Sequence, residues 1–107
     1  MKTSELSGAA LDWAVAKCEV GAEFIGEIDD PHFYSTDWAI GGPIIEREKI
    51  TIDYDHEGPT LMWEAKRFAF DGTELQREYG PTPLIAAMRC YVASKLGDEV
   101  EIPIELK

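Results

Sequence analysis

The sequence predicts an α+β domain: an N-terminal helix, a mainly antiparallel sheet of about four strands, and a C-terminal helix packed on the sheet. Two stretches, near residues 7–18 and 82–97, repeat apolar residues at the 3.6-residue period of a helix with a buried side. Elsewhere apolar and polar residues alternate in short runs, as strands with one buried side do. Short links rich in Asp, Gly and Pro join successive runs, and links that short imply an antiparallel meander.

The first helix is expected from about Ser7 to Cys18, with Leu11, Ala14, Val15 and Cys18 at the i, i+3, i+4, i+7 positions of one stripe. Ser7 suits the N-cap, while Asp12 and Lys17 fall away from the stripe. Trp13 flanks it, either roofing the core or offering a half-buried indole as a binding platform. After Gly21, Ala22, Phe24, Gly26 and Ile28 alternate with Glu23, Ile25 and Glu27, a strand closed by Asp29-Asp30-Pro31. The segment from His32 to Glu48 is expected to be mostly irregular. Pro43 there fits the first position of a short helical turn, with Gly42 as its cap and Glu46 near its positive end.

Ile50, Ile52 and Tyr54 alternate with Lys49, Thr51 and Asp53 in a second strand, followed by the turn chemistry of Asp55-His56-Glu57-Gly58-Pro59. Leu61, Trp63 and Ala65 mark a third strand running toward Phe70. Asp71-Gly72 then signals a type I′ hairpin into a fourth strand carrying Leu75 and Tyr79. The last helix has Thr82 as cap, Pro83 at its first position and Gly97 after Leu96. Its core stripe is Leu84, Ile85, Met88, Tyr91, Val92 and Leu96. The opposite side holds small residues (Ala86, Ala87, Cys90 and Ala93), so burial on two sides is expected, within the fold or against another copy. Val100, Ile102, Ile104 and Leu106 alternate in a final extended segment that Pro103 confines to an edge.

At 107 residues the chain reads as one domain, residues 1–107, of a size that buries roughly 65% of its unfolded surface. A hydrophobic content of 45% supplies a core. The net charge of −11 repels phosphates, which argues against direct nucleic-acid binding. No run is long and apolar enough for a signal peptide or a membrane span, so a soluble cytoplasmic protein is expected. Cys18 and Cys90 lie in helical patterns and read as two buried thiols rather than a disulfide.

Catalytic patterns are scarce. There is no P-loop, Gly-x-Gly-x-x-Gly or Gly-x-Ser-x-Gly, so no enzyme, cofactor or metal is expected. His32 and His56 lie in different loops beside acids and read as solvated side chains. Recognition has better candidates. Glycine-freed amides at Gly41 and Gly42, next to a helical N-terminus, can hold an anion. Tyr34 and Trp38 offer flat faces to a ring, with Asp37 between a Ser-Thr pair and Trp38. The plainer reading makes Asp37 an Asx-type turn and Trp38 a core plug. Arg89, set among Met88, Cys90, Ala86 and Val92, must reach solvent or meet an acid such as Asp12, Glu46 or Glu48. If unpaired, Arg47 and Arg89 could fork onto a phosphate or carboxylate.

Three blocks resemble the NinX-like family, small proteins of unknown function from lambdoid phages and enterobacterial prophages. They are Leu6 to Ala16, then Ser35-Thr36-Asp37-Trp38 with Gly42 to Glu48, and the run from Thr82 to Pro103. Together they cover about half of the chain. The resemblance implies a phage accessory protein and brings no reaction or catalytic residue with it. The residues themselves favour a non-enzymatic protein that binds a small, nucleotide-like anion through Tyr34, Asp37, Trp38, Gly41, Gly42, Arg47 and Arg89. Sequestration of a host defence signal is the role that reading implies. The rival is an acidic inhibitor that imitates nucleic acid on a host enzyme. A homo-oligomer is expected in either case.

Overall fold

The computed structural model describes residues 1–21, 32–57 and 62–106. Among the described residues α3 packs on a three-stranded antiparallel sheet and α1 and α2 pack on α3, so the α+β class holds, and three of the four expected strands are seen. The strand expected over residues 22–28 lies outside the described residues.

Helix α1 spans Gly8–Val20. Ser7 stands at the N-cap position, but its side chain makes no capping bond. The helix is buried without a break from Ala10 to Ala16, so Asp12, expected on its polar side, is enclosed too. Helix α2 spans Trp38–Glu48 and replaces the irregular segment expected there. Its cap is Asp37, not Gly42, and Pro43 sits inside it. Burial of Ile44 against the core and a close backbone approach at Gly41 outweigh the poor helix propensity of Gly-Gly-Pro. A Cβ on Gly41 would lie 2.5 Å from the Tyr34 carbonyl oxygen and 2.7 Å from Leu84 Cδ1, so only glycine fits. The helix ends in a Schellman turn: Ile50 N donates to Ile45 O at 3.0 Å and Lys49 N to Glu46 O at 3.3 Å, with Lys49 left-handed at φ 55°.

Strands β1 (Thr51–Tyr54), β2 (Trp63–Phe68) and β3 (Glu74–Gly80) form the predicted meander in the order β1-β2-β3. Trp63 pairs with both Tyr54 and Gly80, and the β2–β3 register shifts between Arg67 and Phe68. The hairpin at Asp71-Gly72 is present but is not type I′, which needs positive φ at two residues. Only Gly72 has it, at 89°. Gly72 N donates to Ala69 O, and Ala69 N to Thr73 O, which makes a longer turn with a glycine bulge.

Helix α3 (Pro83–Leu96) begins and ends as predicted, with Thr82 Oγ1 accepting from Ile85 N at 3.1 Å and Gly97 following. It packs on β3 and β2 and also touches α1 and α2. Ala86, Ala87, Cys90 and Ala93 are therefore buried inside one chain and give no free face for a second copy. The expected edge strand over residues 100–106 does not form. Residues 97–100 instead hold the N-terminus: Thr3 N donates to Asp98 O, Val100 N to Met1 O, and the Met1 amino group to Val100 O at 3.1 Å. Residues 104–106 make a 3-10 turn.

Candidate functional site

The turn before α2 is held from both sides. Thr36 N and Asp37 N donate to Phe33 O, while Asp37 Oδ1 accepts from Ala39 N at 2.9 Å and starts the helix. Capping thereby accounts for Asp37, as the plainer reading had it. Trp38 does not plug the core, because 53% of it is exposed at the first helical position. It forms one wall of a shallow depression of about 200 Å³, lined also by Ser35, Thr36, Thr82, Leu84 and Ile85. The depression thus lies where α2 and α3 both begin. Each helix start carries partial positive charge and amides without an intrahelical acceptor.

Ser35 is positioned from α1. Its N–H donates to Asp12 Oδ1 at 2.9 Å in a buried bond, which gives the enclosed carboxylate its role. The Ser35 side chain is 2% exposed, and its Oγ is buried with no hydrogen-bond partner among the described residues. Tyr34 is half-buried, tilted against the His32 ring at 5.7 Å between centroids. Burial, with the charges of Glu19 and Asp12, raises its hydroxyl pKa. Gly42 lies beneath Trp38, and a Cβ there would touch the indole at 3.8 Å.

The two arginines are placed elsewhere. Trp38 opens α2 and Arg47 stands in its last turn, roughly 13 Å away along the axis at about 1.5 Å per residue. Arg47 forks onto both Glu19 oxygens at 3.1 and 2.6 Å, bonds Glu48 at 2.9 Å and lies over the Tyr91 ring. Tyr91 Oη donates to the same Glu19 carboxylate. Glu48 also meets Arg67 and Lys95, so this corner ties the ends of all three helices to β2. The Arg47 hydrogen bond holds Glu19 below its ordinary pKa. Burial and the adjacent Glu19 push the Tyr91 hydroxyl up.

Arg89 is 8% exposed and, among the described residues, forms no salt bridge with an acid. Its Nε donates to Leu6 O at 2.7 Å and its Nη1 to Tyr79 O at 2.8 Å, pinning the N-terminal segment to β3. Burial lowers its pKa and the Glu78 charge partly offsets that. The structure therefore brings Tyr34, Asp37, Trp38, Gly41 and Gly42 together around the start of α2. Neither Arg47 nor Arg89 is among the described residues that line its depression.

A family model described as "Bacteriophage P22, NinX" matches residues 2–95. The chain belongs to the NinX family. No curated protein matches it. The matched span runs from the N-terminal segment through nearly all of α3 and takes in every residue of the Trp38 depression. Membership makes this a phage accessory protein, as the three sequence blocks implied.

No cluster of His, Cys, Asp and Glu among the described residues could hold a metal. Cys18 and Cys90 are free, and burial pushes both thiols up to about 12, away from the thiolate that nucleophilic work needs. No helix among the described residues is long and apolar enough to cross a membrane. The sequence reading missed Ser35, Thr36, Thr82, Leu84 and Ile85 as wall residues. Thr82 carried a signal, since a cap marks a helix start, but nothing local shows that two helix starts meet.

Proposed function

We propose that this NinX-family protein works by binding rather than catalysis, taking a small, ring-bearing, nucleotide-like anion in the depression beside Trp38. The observation that carries the reading is the convergence of the α2 and α3 starts on a cavity walled by a half-exposed indole. A ring stacks on Trp38, and the anionic group meets first-turn amides. Arg47 and Arg89 are committed to Glu19 and to backbone carbonyls, so the charge is met by helix starts instead. Withdrawal of a host signal nucleotide during infection is the biological role such a site would serve.

The test is a thermal-shift and calorimetric titration of the wild type and Trp38→Ala with mononucleotides and cyclic dinucleotides. Binding by the wild type alone, at equal melting temperatures, is the expected result. Failure of the whole panel to bind the wild type would reject it.

One observation favours the second reading, an acidic inhibitor. Asp53, Asp55, Glu57 and Glu64 surround a second depression of about 270 Å³ at the β1–β2 end, with Tyr54 and His56. A host protein bound there would be displaced by duplex DNA and not by nucleotides. It would also be lost on reversing Asp53 and Glu57 to lysine.

A further inference from the structure

We propose that the chain associates head to tail, with the Phe70 ring at the tip of the β2–β3 hairpin entering the Trp38 depression of a second copy. The surface that the depression offers is almost entirely apolar, which suits a hydrocarbon side chain.

Phe70 is more exposed than any other large apolar side chain among the described residues, and Phe68 and Leu75 at the same hairpin end are exposed as well. Single exposed apolar residues are ordinary, but three at one tip are more than scatter. The tip is also held in one shape. Ala69 N donates to Thr73 O at 2.7 Å, Gly72 N to Ala69 O at 2.9 Å, and Thr73 N to Asp71 Oδ1 at 3.0 Å. None of that bonding uses the Phe70 side chain, and a polar residue would serve the turn as well. A ring on a fixed turn is a preorganised anchor, because docking it orders little else.

The depression matches that anchor in size and in charge. A dry apolar cavity of about 150 Å³ accepts a benzene-sized ring. The depression measures about 200 Å³, with Trp38, Leu84 and Ile85 as its apolar walls. In a chain of net charge −11 most surfaces repel a second copy. Here no acid is among the described residues of the lining, and none stands in the first turn of α2 or α3. Asp37 offsets the partial positive charge at the α2 start, but α3 is capped by the neutral Thr82 and keeps its own. The tip carries Asp71 next to Phe70, so its carboxylate approaches that positive end as the ring enters. Glu74, also at the tip, is already paired with Arg77 at 2.6 Å.

The ring cannot be the chain's own. Strand β3 begins beside the tip at Glu74 and ends at Gly80, two positions before Thr82. Its seven residues span roughly 20 Å at about 3.3 Å per residue. Tip and depression thus lie at opposite ends of β3, and the contact is heterologous: each copy gives a ring to one neighbour and a depression to another. Self-association then withholds the depression from any other ligand.

The experiment is sedimentation velocity of the full chain from micromolar to near-millimolar concentration at moderate salt, using wild type, Phe70→Ser and Trp38→Glu. Phe70 is exposed, and an acid suits the first position of a helix, so both variants should melt as the wild type does. The wild type should gain mass with concentration. Each variant alone should associate about thirtyfold more weakly, the worth of an aromatic anchor at an interface. Where each alone is monomeric, an equimolar mixture of the two should form dimers and nothing larger, because one keeps its depression and the other its ring. A wild type that stays monomeric throughout would overturn the proposal and leave the tip to a different protein. So would wild-type association by Phe70→Ser, or a mixture that associates no better than its components, the mark of a symmetric contact.

Discussion

Arg89 and Arg47 carry the same guanidinium in opposite circumstances. Arg89 is buried and donates to two backbone carbonyls that come from distant parts of the chain. Removing it leaves both acceptors enclosed and unpaired, so Arg89→Met should cost on the order of 3 kcal/mol. Arg47 is half in solvent, with a side chain 50% exposed, and its ion pairs are screened. Arg47→Met should cost less than about 1 kcal/mol. Urea midpoints of the two variants decide the point, and equal losses would mean that the Glu19 corner is more tightly coupled than its exposure implies. Sequence alone made both arginines candidates for a ligand. It could not separate them, because a carbonyl partner leaves no mark in residue type. Ser35 was hidden for a related reason, since its positioning acid, Asp12, lies 23 residues earlier on another element.

At the scale of elements, legibility followed how local the determining forces are. α3 was readable at both ends because Thr82, Pro83 and Gly97 act within one turn of themselves. α2 was not, because Gly41, Gly42 and Pro43 argue locally against a helix that distant packing stabilises at Ile44 and Gly41. Residues 100–106 alternate like a strand, yet alternation does not supply a partner, and the N-terminal segment bonds only as far as Val100. The helix ends make two predictions. Lys49 adopts φ 55° at the Schellman position, a conformation that disfavours side chains. Lys49→Gly should therefore raise stability by about 0.5–1 kcal/mol. Thr82→Ala removes one cap bond and should lower it by about 1 kcal/mol. Both are read from chemical denaturation, and a loss in Lys49→Gly would place the Lys49 side chain among the stabilising contacts.

For the whole molecule, the carboxylates divide into two groups with opposite pH responses. Arg47 lowers the pKa of Glu19. Lys66 lowers that of Glu64. Arg47, Lys95 and Arg67 lower that of Glu48 against the opposing effect of burial. A depressed folded-state pKa contributes stability above the unfolded value that is lost as pH falls through the folded one. Glu78 is the reverse: burial, with Asp98 nearby, raises it above 4.5. Its contribution is full below that value and lost as pH rises through the folded one. Stability should thus rise on mild acidification from neutrality, as Glu78 takes its proton, and collapse below the ordinary carboxylate range. Urea midpoints across that span test this, and Glu78→Gln should flatten the rise. The charge of −11 makes a further prediction for the Trp38 site. Salt screens the overall repulsion more than contacts to neutral donors, so anion affinity should increase between low and moderate ionic strength. A steep decrease would mean that cationic side chains hold the ligand.

The pairing of residues 1–3 with 97–100 has a consequence for how the chain may be cut and rejoined. Because Met1 already bonds Val100, a Gly-Ser linker that joins Met1 to the segment following Val100 closes a loop of few residues at modest entropic cost. New ends could then be opened at the exposed Asp71-Gly72 turn, where no core side chain is disturbed. Such a circular permutant should fold and melt cooperatively with the Trp38 depression unchanged. It would break only the β2–β3 connection, so any loss of stability would measure what that single hairpin link contributes to assembling the sheet beneath α3.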